Sequence, residues 1–185
     1  GSDNLKMVKL LPEHVRLVSA DTAAKLALDA YKNSWGNPVS FKTAHGKYLV
    51  AEDNGGKTVN ANRNTIGSFE KFHIISDGEF KDRSQITIQT GNGNYFSANP
   101  NGALDANRTV IGSWEKFTLI NHSSPGGYLE DGHVVSLKSA HNKYVVTEDK
   151  GGANANRDSI GSWEKFTVYF HSKIVKLVYI WFLKF

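Results

Sequence analysis

Ile111-Gly112-Ser113-Trp114-Glu115-Lys116-Phe117 decides the fold, because the chain spells this stretch three times. Ile66-Gly67-Ser68-Phe69-Glu70-Lys71-Phe72 precedes it by 45 residues, and Ile160-Gly161-Ser162-Trp163-Glu164-Lys165-Phe166 follows it by 49. A second block stands ahead of each copy: Asn60-Ala61-Asn62-Arg63, Asp105-Ala106-Asn107-Arg108 and Asn154-Ala155-Asn156-Arg157. A tandem repeat of this period is a supersecondary unit whose copies bury a common core by packing on one another. Residues present in all three copies therefore read as scaffold. A binding site is sought where the copies differ.

Outward from these blocks, each copy opens on an alternating run: Val39-Ser40-Phe41-Lys42-Thr43, Ile86-Thr87-Ile88-Gln89-Thr90 and Val135-Ser136-Leu137-Lys138-Ser139. Period-two alternation predicts half-buried strands, with Val39/Phe41, Ile86/Ile88 and Val135/Leu137 pointing inward. Polar tips follow at Ala44-His45-Gly46-Lys47, Gly91-Asn92-Gly93-Asn94 and Ala140-His141-Asn142-Lys143, where Gly and Asn suit a hairpin turn. Return strands start at Tyr48, Tyr95 and Tyr144. A third strand holds the Asn-Arg block, and a fourth holds Phe72/Ile74, Phe117/Leu119 or Phe166/Val168. Four strands per copy fit a propeller blade too, but propellers need at least four blades. Three copies predict an all-β fold, a β-trefoil of three four-stranded repeats with pseudo-threefold symmetry, over about 38–83, 84–132 and 133–170.

The pattern Gly/Asn-Lys-Tyr-Leu/Val at Gly46–Leu49 and Asn142–Val145, then Ala-Asn-Arg, then Ile-Gly-x-Trp-Glu-x-Phe, resembles the fascin-like β-trefoils, a group that includes fascin and hisactophilin. The resemblance spans about Pro38 to Phe170 and recurs in each copy. The Gln-x-Trp signature and disulfides of ricin-type repeats are absent from the sequence. The resemblance implies a module that binds or crosslinks actin filaments, and a cytoplasmic location is expected.

Composition bounds the partner. The 185 residues are 39% hydrophobic and 22% charged, with 17 Gly, 4 Pro and no Cys, as in a globular chain rich in turns. Without Cys there is neither a disulfide nor thiolate chemistry. The net charge of +4 favours acidic polymers: actin filaments, nucleic acid or membrane surfaces. Lys and Arg are dispersed along the chain, which argues against a nucleic-acid tail, and no nucleic-acid partner is expected. Asn107 and Asn121 head sequons of the kind that arise often by chance.

The flanks do not repeat. Gly1-Ser2 has the form of a residue pair left by cleavage of an expression tag. Residues 1–37 are an N-terminal extension in which Asp21–Lys32 favours a helix through Ala24, Leu26, Ala27, Leu28 and Ala30. A strand pair over Glu13–Ser19 and Lys25–Ala30 is the alternative. Residues 171–185 form a hydrophobic tail, too short to span a bilayer. It is expected to pack as a buried strand or helix, with membrane-surface or partner contact as the other use.

The tips give the functional expectation. Lys42, His45 and Lys47 in copy one match Lys138, His141 and Lys143 in copy three, whereas copy two has Gln89, Asn92 and Asn94. Two basic tips predict a patch for actin filaments or another acidic protein surface. The alternative is a secreted, lectin-like protein whose sugar pockets use Asn62, Arg63, Asn107, Arg108, Asn156 and Arg157. A third reading is an adaptor domain of a larger protein. Phe69, Trp114 and Trp163 are expected in packing, and the neighbouring Glu and Lys in turn hydrogen bonds and solvation. No nucleophile elbow, Walker loop or zinc-protease motif occurs, so neither an enzyme, a cofactor nor a metal site is expected.

Overall fold

Each copy supplies four short strands, set out in a computed structural model that describes residues 38–76 and 78–171. The first forms β1 (Val39–Thr43), β2 (Tyr48–Ala51), β3 (Lys57–Arg63) and β4 (His73–Ser76). The second forms β5 (Gln85–Gln89), β6 (Tyr95–Ala98), β7 (Leu104–Arg108) and β8 (Phe117–Asn121). The third forms β9 (Val134–Lys138), β10 (Tyr144–Thr147), β11 (Ala153–Arg157) and β12 (Phe166–Phe170). No α-helix occurs among the described residues. The expected extension over 1–37 and all of the expected tail beyond His171 lie outside them.

The inward residues behave as the alternation predicts. Val39, Phe41, Ile86, Ile88, Val135 and Leu137 are buried, as are Phe72, Ile74, Phe117, Leu119, Phe166 and Val168. Phe72 meets Phe96 edge-on at 5.1 Å between ring centroids, and Phe41 meets Phe166 at 6.3 Å. The first strands are not half-exposed, however: Ser40 and Ser136 have no exposed surface and Thr87 has 4%. The two serine hydroxyls can be buried because they are bonded. Ser40 Oγ donates to the Glu70 carbonyl and Ser136 Oγ to the Glu164 carbonyl, each at 2.7 Å.

The expected β-trefoil of three four-stranded repeats is corrected by the hydrogen-bond ladders. Nine of the twelve strands close one antiparallel ring, in the order β1-β2-β3-β7-β6-β5-β8-β9-β12 and back to β1. β4 branches from β5, and β10 with β11 branches from β9. The ring thus runs through all three copies and takes different strands from each. Copy one carries two more residues than the others between the second strand and its Arg, so β3 is long enough to ladder with β7 through Lys57 and Thr58. The corresponding contacts elsewhere are single bridges, Asn60 with Gly152 and Ala103 with Asn154. β4 likewise reaches β1 only through the bridge of Val39 with Phe72.

Candidate functional site

The Ile-Gly-Ser-x-Glu-Lys-Phe block builds one wall of the candidate site. In each copy Ser-x-Glu makes a 3-10 turn, and the Glu carboxylate folds back onto the Gly backbone N–H. Glu70, Glu115 and Glu164 accept these bonds at 2.7, 2.8 and 2.6 Å. The carboxylates are buried. This closes the turn in the manner of a capping box. The next residue, Lys, falls at the mouth of the turn, beside the hairpin tip of the following copy.

Two repeat-equivalent clefts result. One, of about 370 Å³, is lined by Ser113, Lys116 and Thr118 of copy two and by Lys138, Ser139 and Ala140 of copy three. The other, of about 230 Å³, is lined by Ser162, Lys165 and Thr167 of copy three and by Lys42, Thr43 and Ala44 of copy one. Among the described residues no carboxylate lies within ion-pair distance of these four lysines. Lys42 instead lies over the Tyr48 ring at 5.8 Å and Lys138 over the Tyr144 ring at 5.7 Å, which fixes the stems and leaves the charges unneutralised. The third equivalent place differs: Gln89 replaces the tip lysine and Gly91 replaces the alanine. Asn54, from the lengthened loop of copy one, packs there, and a Cβ on Gly91 would come within 2.5 Å of its amide.

The other tip residues anticipated from sequence have partners of their own. Lys143 pairs with Asp158, and Lys47 bonds the Asn64 side chain. His45 Nε2 meets the Thr147 carbonyl at 2.9 Å and packs against Trp163, with 4.9 Å between ring centroids. His141 Nε2 meets the Ala98 carbonyl at 3.0 Å and packs against Trp114 at 5.5 Å. In copy two Asn92 Nδ2 reaches the Asp53 carbonyl at 3.0 Å, across from the copy that carries Phe69 rather than Trp. The middle residue of every tip is thus a tie between copies. The two His tips each pack on a Trp of the facing copy, while copy one carries Phe69 at the place facing the Asn92 tip.

The Asn-Arg blocks are clamped too. Arg63 bonds both carboxylate oxygens of Glu52, at 3.1 and 2.9 Å, and Arg157 bonds Glu148 at 2.6 Å. In copy two the clamp is rearranged: Arg108 bonds Asn99 Oδ1 at 3.1 Å, and Asn99 bonds Asp105 at 2.8 Å. Asn62 and Asn156 lie against glycines of neighbouring copies, where a Cβ on Gly151 or Gly102 would come within 2.8 or 2.7 Å of their own Cβ atoms. Asn107 is exposed. The sequon residue Asn121 is 1% exposed, with its amide bonded to the Tyr128 carbonyl.

A Ser–His contact was not anticipated. His122 Nε2 lies 2.7 Å from Ser136 Oγ, whose own proton goes to the Glu164 carbonyl, so Nε2 carries the ring proton. With no exposed surface and its proton committed, Ser136 is not placed to attack a substrate. Burial, then the Lys165 charge, holds His122 below its ordinary pKa, against an upward pull from Asp82. Burial also pushes the Asp82 carboxyl upward. The N–H groups of Asn121 and Gly126 at 2.8 Å, with Arg83 and His122, outweigh this and hold it below its usual value. No group of three or more His, Asp or Glu able to hold a metal occurs among the described residues.

Sequence reasoning missed Lys116 and Lys165 because they lie inside the shared motif. The available signal was their place immediately after the repeated Glu.

No known family matches the chain, and no curated protein does. Among solved structures it is similar to the SDF2-like protein from Arabidopsis thaliana, with a TM-score of 0.58 at 13% identity over 71% of this chain and 91% of that one. At this identity the likeness is one of fold: both chains share an all-β, barrel-like architecture.

Proposed function

We propose that the chain is a non-catalytic binding module for an acidic macromolecular surface, with the actin filament as partner. The observation that carries this reading is the set of four lysines, Lys42, Lys116, Lys138 and Lys165, free of carboxylate partners and gathered at two equivalent clefts. Opposed charge on an acidic filament steers association and rewards such lysines more than it rewards Lys143, already paired with Asp158. The fascin-like resemblance of the repeated blocks supports the choice of filament. The lectin reading draws on Trp114 and Trp163, which stay 38% and 37% exposed. It loses weight because Arg63, Arg108 and Arg157 are bonded within their own copies.

Co-sedimentation with actin filaments at low and at high salt tests the proposal. Binding at low salt that weakens as salt rises is expected for exposed charges. No binding at low salt removes the actin reading. Hits on a glycan array, with no filament binding, would move the assignment to the lectin alternative.

A further inference from the structure

We propose that each of the two open clefts is a discrete oxyanion site, taking one carboxylate, sulfate or phosphate group, and that the equivalent place between copies one and two has lost its site. The inference deepens the binding function proposed above and rests on it. It assigns the partner's recognised group and says which copies contact it.

Three observations converge. First, lysines from different copies line each cleft: Lys116 with Lys138, and Lys165 with Lys42. Like charges gathered without a carboxylate favour an anion between them. Second, each cleft is lined by a residue whose hydroxyl has a proton to give. Ser139 Oγ accepts the N–H groups of His141 and Lys143 at 3.2 and 3.4 Å, and Thr43 Oγ1 accepts those of His45 and Lys47 at 3.2 and 3.3 Å. Two backbone donors fill the lone pairs of a hydroxyl, whose remaining capacity is its own O–H. Ser139 and Thr43 are 5% and 6% exposed, and no acceptor among the described residues takes their protons. Ser113, Thr118, Ser162 and Thr167 add hydroxyls to the same walls. A cavity lined by lysines and hydroxyl-bearing residues suits a group that only accepts.

Third, the copy lacking the second lysine is also the copy whose place is occupied. A Cβ on Gly55 would lie 2.3 Å from Thr90 Oγ1, the counterpart of Ser139 and Thr43, while Asn54 packs on Gly91. Loss of the charge and covering of the hydroxyl coincide. The same two-residue lengthening that lets β3 reach β7 supplies the covering loop.

The test is a titration of isotope-labelled protein followed through its backbone amide signals, at constant ionic strength set with chloride. Sodium sulfate, sodium phosphate and sodium acetate form separate arms, which tell the tetrahedral anions from the carboxylate. Saturable shifts are expected at Ser113, Lys116, Ser139 and Ala140, and at Ser162, Lys165, Thr43 and Ala44. Ser68, Lys71, Thr90 and Gly91 serve as the internal control and stay unshifted. The pair Lys116→Gln and Lys138→Gln should remove saturation at the first cleft and leave the second unchanged, which also shows that the variant is folded. Shifts that never saturate, or that are equal at the control residues, overturn the proposal. Salt-sensitive actin binding together with silent clefts overturns the oxyanion sites alone. Saturating clefts without filament binding overturn only the choice of partner.

Discussion

Glu70, Glu115 and Glu164 are 6%, 6% and 7% exposed, an unusual place for a carboxylate, and each holds the turn that presents a lysine. Glu115 has a second duty, because its Oε2 accepts the hydroxyl of buried Ser97 at 2.7 Å, whereas copies one and three have valine at that position. Glu115→Ala therefore strands two donors and Glu70→Ala one. The first should lower unfolding stability by about 1 kcal/mol more than the second, measured by urea titration. The His–Trp ties make a paired prediction. His141→Asn should destabilise the protein beside Trp114 but less beside Phe in the double variant with Trp114→Phe, with a coupling of about 0.5–1.5 kcal/mol in a double-mutant cycle. His122 sets a pH dependence. Its folded pKa lies below 6.5, so the unfolded chain takes up more protons as pH falls through that value. Stability is fully present above the unfolded pKa and declines below it; a thermal melt series from pH 8 to 5 should show the decline, and His122→Gln should flatten it.

Strands and turns were the most legible level. Alternation in Val39–Thr43 and the aromatic periodicity of Phe72/Ile74 placed strands and inward faces correctly, since burial of apolar side chains at every second position is what a pleated strand requires. Ladder partners were not legible. Which strand a four-residue element pairs with depends on distant backbone, and the two extra residues ahead of Arg63 shift a bridge into a ladder without altering any motif. The tips were legible as basic, but not as interlocked: nothing local tells that His45 finds a carbonyl 102 residues away. Close approach between copies two and three yields a further test. Gly102 has φ +93° and its Cβ position lies 2.7 Å from Asn156 Cβ, whereas Gly46 at φ +74° faces open space. Gly46→Ala should cost about 1–2 kcal/mol from the left-handed backbone alone. Gly102→Ala should cost at least about 1 kcal/mol beyond that through overpacking.

At the scale of the molecule, a ring of nine strands drawn from three copies fixes each lysine-bearing turn against the next copy's hairpin. The proposed recognition surface is therefore a product of contacts between copies, and no single repeat contains it. That is why the candidate site was only half visible in the sequence. Lys42 and Lys138 stood out because copy two lacks them, while Lys116 and Lys165 were hidden by being common to the motif. The most direct measurement of the central claim is the filament affinity of two charge-reversed proteins in low-salt co-sedimentation. One carries Lys42→Glu, Lys116→Glu, Lys138→Glu and Lys165→Glu; the other carries Lys57→Glu and Lys143→Glu, at lysines already paired with Asp53 and Asp158. Loss of binding in the first with near-native binding in the second is the predicted result, and equal binding by both proteins would contradict the account.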